Sequence, residues 1–281
     1  MDFQIPFTIH TNSGLISLEK PIVMAIINIT PDSFYTSCKS MTQHEVLLTA
    51  EKAIGDGASI LDIGGYSTRP GAPDVSMDEE IQRISNALKW IRKEFPSIPI
   101  SVDTFRSEVA EIAIENGADI INDISGGTLD EAMFSTIAKL NVPYILMHMR
   151  GTPATMQSMT KYDNLLSEII HFFEEKIRIL TLSGVNDIIL DPGFGFAKTL
   201  EQNYELLKKL PYLQQLGYPL LAGISHKSML YKLLGEDAAH TLNATTAANT
   251  IALMNGVSIL RVHDVKEAIE AIKIVEETKA Q

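Results

Sequence analysis

Short apolar runs along the chain are each followed at once by polar side chains able to do chemistry: Asn28, Asp62, Asp103, Asn122, His148, Asp191, the Ser225-His226-Lys227 segment, and Arg261 with His263. Carboxylates beside an amide suit the edge of a ring that offers N–H donors, and a nearby lysine suits a carbonyl or a ring nitrogen. Arg261 and His263 are separated by one residue, so a strand would turn both to one side. With Arg69 they form a basic set suited to phosphate in an otherwise acidic chain. Asn28 offers an oxygen to a hard cation such as Mg²⁺, which usually keeps water and phosphate among its ligands. The inventory points to a heterocycle carrying phosphate.

Such residues need a frame that gathers many strand ends. Residues 21–27, 59–63, 98–102, 119–121, 143–147, 187–190, 219–222 and 258–260 are short and apolar almost throughout, as strands buried on both faces are. Between them the apolar residues recur at helical spacing, as in Val109, Ile112 and Ala113, or Leu166, Ile169, Ile170, Phe173, Ile177 and Leu180. Capping boxes are predicted at Thr42-x-x-Glu45, Ser76-x-x-Glu79 and Thr199-x-x-Gln202. A weak repeat marks helix ends: Asp56-Gly57-Ala58-Ser59-Ile60-Leu61, Asn116-Gly117-Ala118-Asp119-Ile120-Ile121 and Asn255-Gly256-Val257-Ser258-Ile259-Leu260. In each, a glycine that accepts the left-handed conformation closes a helix and a strand follows; Gly184 and Gly217 do so with looser spacing. Eight strand–helix units predict an α/β fold, a closed (β/α)8 TIM barrel with its site at the C-terminal ends of the strands. A doubly wound open sheet is the alternative. Residues 1–20 read as an N-terminal β-hairpin covering the barrel floor, within one domain spanning 1–281.

Composition excludes other classes. The 281 residues carry 23 Lys and Arg against 35 Asp and Glu, and the net charge of −12 argues against a nucleic-acid partner. No apolar run nears the ~18 residues of a membrane-spanning helix. Met1-Asp2-Phe3-Gln4 lacks the basic and apolar regions of an export signal. One cysteine, Cys38, leaves no internal disulfide framework and no multi-cysteine metal site. A soluble, cytoplasmic protein with no membrane partner is expected.

The motifs resemble those of the dihydropteroate synthase family of folate biosynthesis. They are Asn28-Ile29-Thr30-Pro31-Asp32-Ser33-Phe34, Asp62-Ile63-Gly64-Gly65-Tyr66-Ser67-Thr68-Arg69-Pro70-Gly71, Ser101-Val102-Asp103-Thr104 and Ile121-Asn122-Asp123-Ile124-Ser125-Gly126. Met147-His148-Met149-Arg150-Gly151-Thr152-Pro153, Leu190-Asp191-Pro192-Gly193-Phe194-Gly195-Phe196, Ser225-His226-Lys227-Ser228 and Arg261-Val262-His263-Asp264-Val265 complete the order. The resemblance implies a (β/α)8 transferase, a sulfonamide target and usually a homodimer. It joins 6-hydroxymethyl-7,8-dihydropterin pyrophosphate to p-aminobenzoate, releases pyrophosphate and uses Mg²⁺. It implies that Asp103, Asn122, Asp191 and Lys227 hold the pterin, and that Ile124, Met147 and Phe196 pack around its ring. Asn28, Arg69, Arg261 and His263 would hold the pyrophosphate, with Asn28 on the metal. Phe34, Thr68, Pro70 and Ser228 would form the p-aminobenzoate pocket. The chain departs from the family's pattern in having Tyr66 for Glu, His226 for Arg, and Tyr35-Thr36-Ser37-Cys38 in the first loop, without its usual acidic residue.

The chemistry favours a dissociative substitution, with Arg69, Arg261, His263 and Mg²⁺ neutralising the leaving group and Asp103 stabilising charge on the ring. Lys227 alone in a barrel would suit a Schiff-base lysine, but its flanking Ser225 and Ser228 and the ring-reading carboxylates argue against that. His148 reads as a histidine at the core's edge held by a hydrogen bond. His10, His44, His171 and His240 read as surface or packing residues, and Cys38 as an exposed loop residue. Asp62 and Asp123 are read equally as loop ties or site residues. Gly193-x-Gly195 lacks the rest of a dinucleotide fingerprint. Two other functions use a similar site. A methyltetrahydrofolate–corrinoid methyltransferase has no use for Arg69, Arg261 and His263. A pterin-binding pseudoenzyme finds its only support in the altered first loop.

Overall fold

The computed structural model describes residues 7–30, 41–67 and 74–280. Two short antiparallel strands come first, β1 (Thr8–Thr11) and β2 (Gly14–Ser17). Eight parallel strands follow: β3 (Ile22–Asn28), β4 (Ile60–Gly64), β5 (Ile100–Asp103), β6 (Ile120–Asp123), β7 (Tyr144–Met147), β8 (Ile188–Asp191), β9 (Leu221–Ala222) and β10 (Ile259–Val262). Their order in space is β8-β7-β6-β5-β4-β3-β10-β9. The outer two meet where Leu190 bridges Leu220 and its N–H donates to the Pro219 carbonyl at 2.9 Å, which closes the barrel.

Helices cross back between successive strands: α1 (Gln43–Gly55), α2 (Met77–Glu94), α3 (Ser107–Glu115), α4 (Met133–Leu140), α5 (Leu165–Leu182) and α6 (Leu200–Leu213). The connection from β9 to β10 carries two, α7 (Ser228–Leu234) and α8 (Leu242–Met254), and α9 (Val265–Lys279) ends the fold. Among the described residues no helix is long and apolar enough to cross a membrane.

Local sequence accounts for most boundaries. Thr42 and Thr199 make complete capping boxes with Glu45 and Gln202. The box expected at Ser76 is only half made. Ser76 accepts from the Glu79 N–H at 3.2 Å, but the Glu79 carboxylate pairs with Arg83 at 2.6 Å instead of turning back to the cap. An arginine one turn along offers a charge-assisted bond that the neutral cap N–H does not match. Gly57, Gly117 and Gly256 hold φ of +106°, +97° and +87° just past α1, α3 and α8, the conformation their repeat predicts.

Six of the eight strands run one or two residues further than their apolar runs suggest, while β7 and β9 end where expected. Their inward positions turn polar near the C-terminal end while the backbone ladder continues. Asn122 and Arg261 therefore lie within β6 and β10, not beyond them, as Asp62 lies within β4.

Two apolar layers hold the barrel. Outward residues such as Val23, Leu61, Val102 and Leu190 pack against buried helix faces, including Ile84, Leu88 and Ile91 of α2. Burying each such side chain contributes about 1.5–3 kcal/mol. Inward residues at the strands' N-terminal half, Met24, Ile60, Ile120, Ile145, Ile189, Leu221 and Ile259, form a second cluster with Ile9, Ile16 and Leu18 of the hairpin segment.

Candidate active site

Above that inner apolar layer the alternation of each strand carries a polar or functional side chain inward. Asn28, Asp103, Met147 and Asp191 end β3, β5, β7 and β8, and Asp62, Asn122 and Arg261 stand within theirs. The register sets them at similar heights: Gly64 pairs with Asp103, Asp103 with Asn122, and Met147 with Asp191. Lys227 follows β9 and stands just before α7, its side chain making no bond to the helix end.

One charged array crosses the barrel. Arg261 donates from Nε to Asp62 Oδ2 and from a terminal nitrogen to Asp103 Oδ2, both at 2.6 Å. Asn122 Nδ2 lies 3.2 Å from Asp62 Oδ2, which turns that side of the amide to the carboxylate. Burial raises the Asp103 carboxyl to about 7, against Arg261, with Asp62, Glu80 and Asp123 adding to the rise. Arg261 stays cationic, because Asp62 and Asp103 raise its pKa over the cost of burial. Sequence pairs Arg261 with His263 for phosphate. Here the arginine's side chain is committed to carboxylates, while His263 is exposed, with Nδ1 3.1 Å from Ser225 Oγ and its ring edge-on to His226 at 5.7 Å.

A second group surrounds Lys227. Its ammonium donates to the Phe194 carbonyl and lies 4.6 Å from the centre of the Phe196 ring. Burial lowers its pKa to about 8, with Asp191 and Asp103 opposing. Asp191 is raised by burial and lowered by Lys227, the Gly193 N–H, Arg261 and Lys198. Its Oδ1 accepts from the Gly193 N–H at 2.8 Å. Gly193 is required here: its φ is +71°, and a Cβ would sit 2.1 Å from the His148 carbonyl. Ile124 and Met147 form one apolar cluster with Met149, Met156 and Ala197, and Phe196 packs against it. The three residues expected to flank a ring thus lie together.

Other expectations resolve one by one. Asp123 is a loop tie, accepting from Ser125 N–H at 2.7 Å, Gly127 N–H at 2.8 Å and Tyr144 O–H at 2.6 Å. Asp62 instead belongs to the charged array. His148 is buried against Lys198 and the Phe172 ring edge. His10, His44, His171 and His240 are exposed. Tyr66 donates to Asp74 at 3.2 Å and meets Phe105 edge-on at 5.2 Å. His226 holds φ of +54°, with Nε2 2.6 Å from Asp264 and Nδ1 2.8 Å from Thr241 Oγ1. Ser228 is half-buried at the start of α7. Phe34, Thr36, Cys38, Thr68, Arg69 and Pro70 lie outside the described residues.

Sequence reasoning left Lys198 out altogether, gave Ser225 no role beyond its place in the Ser225–Lys227 segment, and left Asp62 open between loop tie and site residue. Asp62 had a signal, its place in the row of polar residues after apolar runs. Lys198 had none, since the carbonyls it holds are brought to it only by the folded 193–197 turn and its third partner, His148, comes from another loop.

The array can accept ring N–H donors at Asp103, Asn122 and Asp191, donate from Lys227, and enclose a flat ring on Phe196, Met147 and Ile124. Residues 24–263 match the model of the family described as pterin binding enzyme. A dihydropteroate synthase of Synechocystis sp. is 43% identical over 261 residues, 92% of this chain and 90% of that protein. The crystal structure of the Yersinia pestis dihydropteroate synthase with a sulfonamide drug superposes with a TM-score of 0.92 at 39% identity, covering 98% of this chain and 100% of that one. The Xanthomonas albilineans dihydropteroate synthase with 4-aminobenzoic acid gives 0.90 at 34% identity, covering 98% of both chains.

Proposed function

The chain belongs to the pterin-binding enzyme family, and on that premise we propose that it is a dihydropteroate synthase. It condenses 6-hydroxymethyl-7,8-dihydropterin pyrophosphate with p-aminobenzoate to give 7,8-dihydropteroate and pyrophosphate. The observation that carries this reading is the convergence of Asp103, Asn122, Asp191 and Lys227 beside the apolar platform of Ile124, Met147 and Phe196. A reduced pterin is flat and presents N–H donors with a carbonyl along its edges, which these groups complement.

The reaction breaks the bond between the pterin CH₂ and the pyrophosphate oxygen, and the electron pair leaves with pyrophosphate. The resulting cation is conjugated with the ring, so a dissociative path is favoured. Asp103, half-buried beside the ring edge, offsets that positive charge. The amine of p-aminobenzoate then forms the C–N bond with its lone pair and loses a proton to solvent. It needs orientation more than a strong base. Ser228 would meet its carboxylate, with Phe34, Thr68 and Pro70 lining the rest of the pocket. Arg69 and His263 would receive the pyrophosphate. Arg261 would share its charge between that anion and the two carboxylates.

Mg²⁺ belongs to the same proposal. Among the described residues no three His, Cys, Asp or Glu side chains gather as a metal cluster. The ion usually takes one or two protein oxygens plus substrate phosphates, so one amide oxygen at the strand ends suits it. Asn28 Oδ1 lies over the bare backbone of Gly64, where a Cβ would come within 3.3 Å of it, and this amide oxygen is our candidate. When bound with the substrate, Mg²⁺ supplies neutralising charge to the leaving pyrophosphate. Asn28 would hold it.

A homodimer belongs to the same proposal: Leu233 and Leu234 on α7 and Ile251 and Met254 on α8 are exposed, and a second copy would cover such side chains. Light scattering at twice the chain mass checks it. The single cysteine accords with a cytoplasmic location.

The deciding experiment follows pyrophosphate and dihydropteroate with each substrate alone and with both. Product only with both is expected. Binding of the dihydropterin without turnover would overturn the enzymatic reading in favour of a binding protein.

A further inference from the structure

Behind the platform lies a buried lysine for which the mechanism has no use. Lys198, 4% exposed, directs its ammonium at three acceptors: the Gly193 carbonyl at 2.9 Å, the Phe196 carbonyl at 3.1 Å and His148 Nδ1 at 3.1 Å. An ammonium has three N–H groups, so the set is matched. His148 is the neutral partner, since burial and the neighbouring Lys198 hold its pKa well below the ordinary value. No carboxylate bonds to Lys198 among the described residues.

Those bonds brace the turn that builds half of the site. The 193–197 turn is also held by Asp191 on the Gly193 N–H, by Asn203 on the Gly195 N–H at 2.6 Å, and by the Tyr162 hydroxyl on the Ala197 carbonyl at 3.0 Å. It presents the Phe194 carbonyl and the Phe196 ring to Lys227. Neutral donors would serve backbone carbonyls equally well, and an unpaired buried cation is costly. The charge itself therefore calls for a reason. The charged and titratable groups around it are Asp191 on β8, Lys227 at the start of α7, and His148 and Arg150 beyond β7. Of these only Asp191 is acidic, and Lys198 favours its ionised form.

We propose that Lys198 is a positioning residue for pterin recognition. Its three hydrogen bonds fix the 193–196 turn that aims Phe196 and the Phe194 carbonyl at Lys227, and its charge adds to that of Lys227 and Arg261 in favouring the Asp191 carboxylate. The inference rests on the pterin reading above. Burial lowers Lys198 to about 7, with Asp191 opposing, so its charge is in place on the acidic side, where Asp191 would otherwise protonate, and is lost as pH rises through that value.

The test measures binding of 6-hydroxymethyl-7,8-dihydropterin, and separately of inorganic pyrophosphate with Mg²⁺, by calorimetry from pH 5.5 to 8.5. For Lys198→Met, dihydropterin affinity should fall about tenfold or more, the worth of one charge-assisted hydrogen bond. Pyrophosphate affinity should change less than about twofold, because Lys198 faces the ring side. The pH at which dihydropterin binding is half lost should rise, since Asp191 without its neighbouring cation protonates more readily. Lys198→Gln keeps two N–H donors without the charge; it should recover part of the affinity and keep the pH shift. It also serves if the methionine variant does not fold. Unchanged dihydropterin affinity and pH midpoint, equal losses for both ligands, or failure of both variants to fold would overturn the proposal. Wild-type protein that binds no dihydropterin would overturn the pterin reading instead.

Discussion

The guanidinium of Arg261 and the carboxylate of Asp103, 158 positions apart in sequence, meet at 2.6 Å inside the barrel. The same arginine holds Asp62, so one cation serves two buried carboxylates. Removing one partner of such a pair leaves uncompensated charge, at a cost on the order of 3–5 kcal/mol. Arg261→Ala should therefore lower the melting temperature by roughly 5–10 °C and weaken both pyrophosphate and pterin binding. Arg261→Lys should restore only part, because an ammonium cannot fork to both acids. Calorimetry checks both. An alanine variant with normal stability and a loss confined to pyrophosphate would show that the pairing with Asp103 is incidental.

Asp103 sets a pH dependence. Its pKa of about 7 means that the carboxylate needed to accept a ring N–H is lost as pH falls through neutrality. The value of kcat/KM should drop about tenfold per pH unit on the acidic side. Asp103→Asn should lower kcat/KM by roughly ten- to a hundredfold and remove that limb. A profile flat from pH 5.5 to 8 in the wild type would exclude the assignment.

Asp191→Asn tests the second acceptor. The amide keeps one oxygen but loses the charge that strengthens its hydrogen bonds, worth about 1.5–3 kcal/mol. Pterin affinity should fall roughly ten- to a hundredfold, read by titration calorimetry. Near-native affinity would remove Asp191 from the site.

His226 and Asp264 give a stability window. Asp264 raises the His226 pKa above 6.5, and His226 lowers that of Asp264 below 3.8. The histidine's share is fully present below 6.5 and is lost as pH rises through its folded value; the acid's share is present above 3.8 and is lost as pH falls through its folded value. The pair thus contributes most between those two ordinary values, on the order of 1 kcal/mol for partly exposed groups. His226→Ala should cost more stability at pH 5.5 than at pH 8.5 in urea unfolding. An equal cost at both would mean that the neutral bonds to Thr241 and Ala238 carry its role.

The chain's local pattern determined the barrel and most of the site. Eight apolar runs with helical segments between them leave little other architecture. Strand alternation puts Asn28, Asp103, Asn122 and Asp191 on the inner face whatever the rest does, because side-chain direction is set by the backbone of the same strand. The helix ends at Gly57, Gly117 and Gly256 were legible for the same reason. Tertiary structure decided who partners whom. Glu79 gives up its cap for Arg83. Arg261 takes Asp62 and Asp103 from 199 and 158 residues away. Lys198 finds His148 fifty positions back. A buried charge bonds whichever opposite or polar group the fold brings within about 3 Å, and that neighbour is supplied by other strands and loops, not by the residues beside it in sequence.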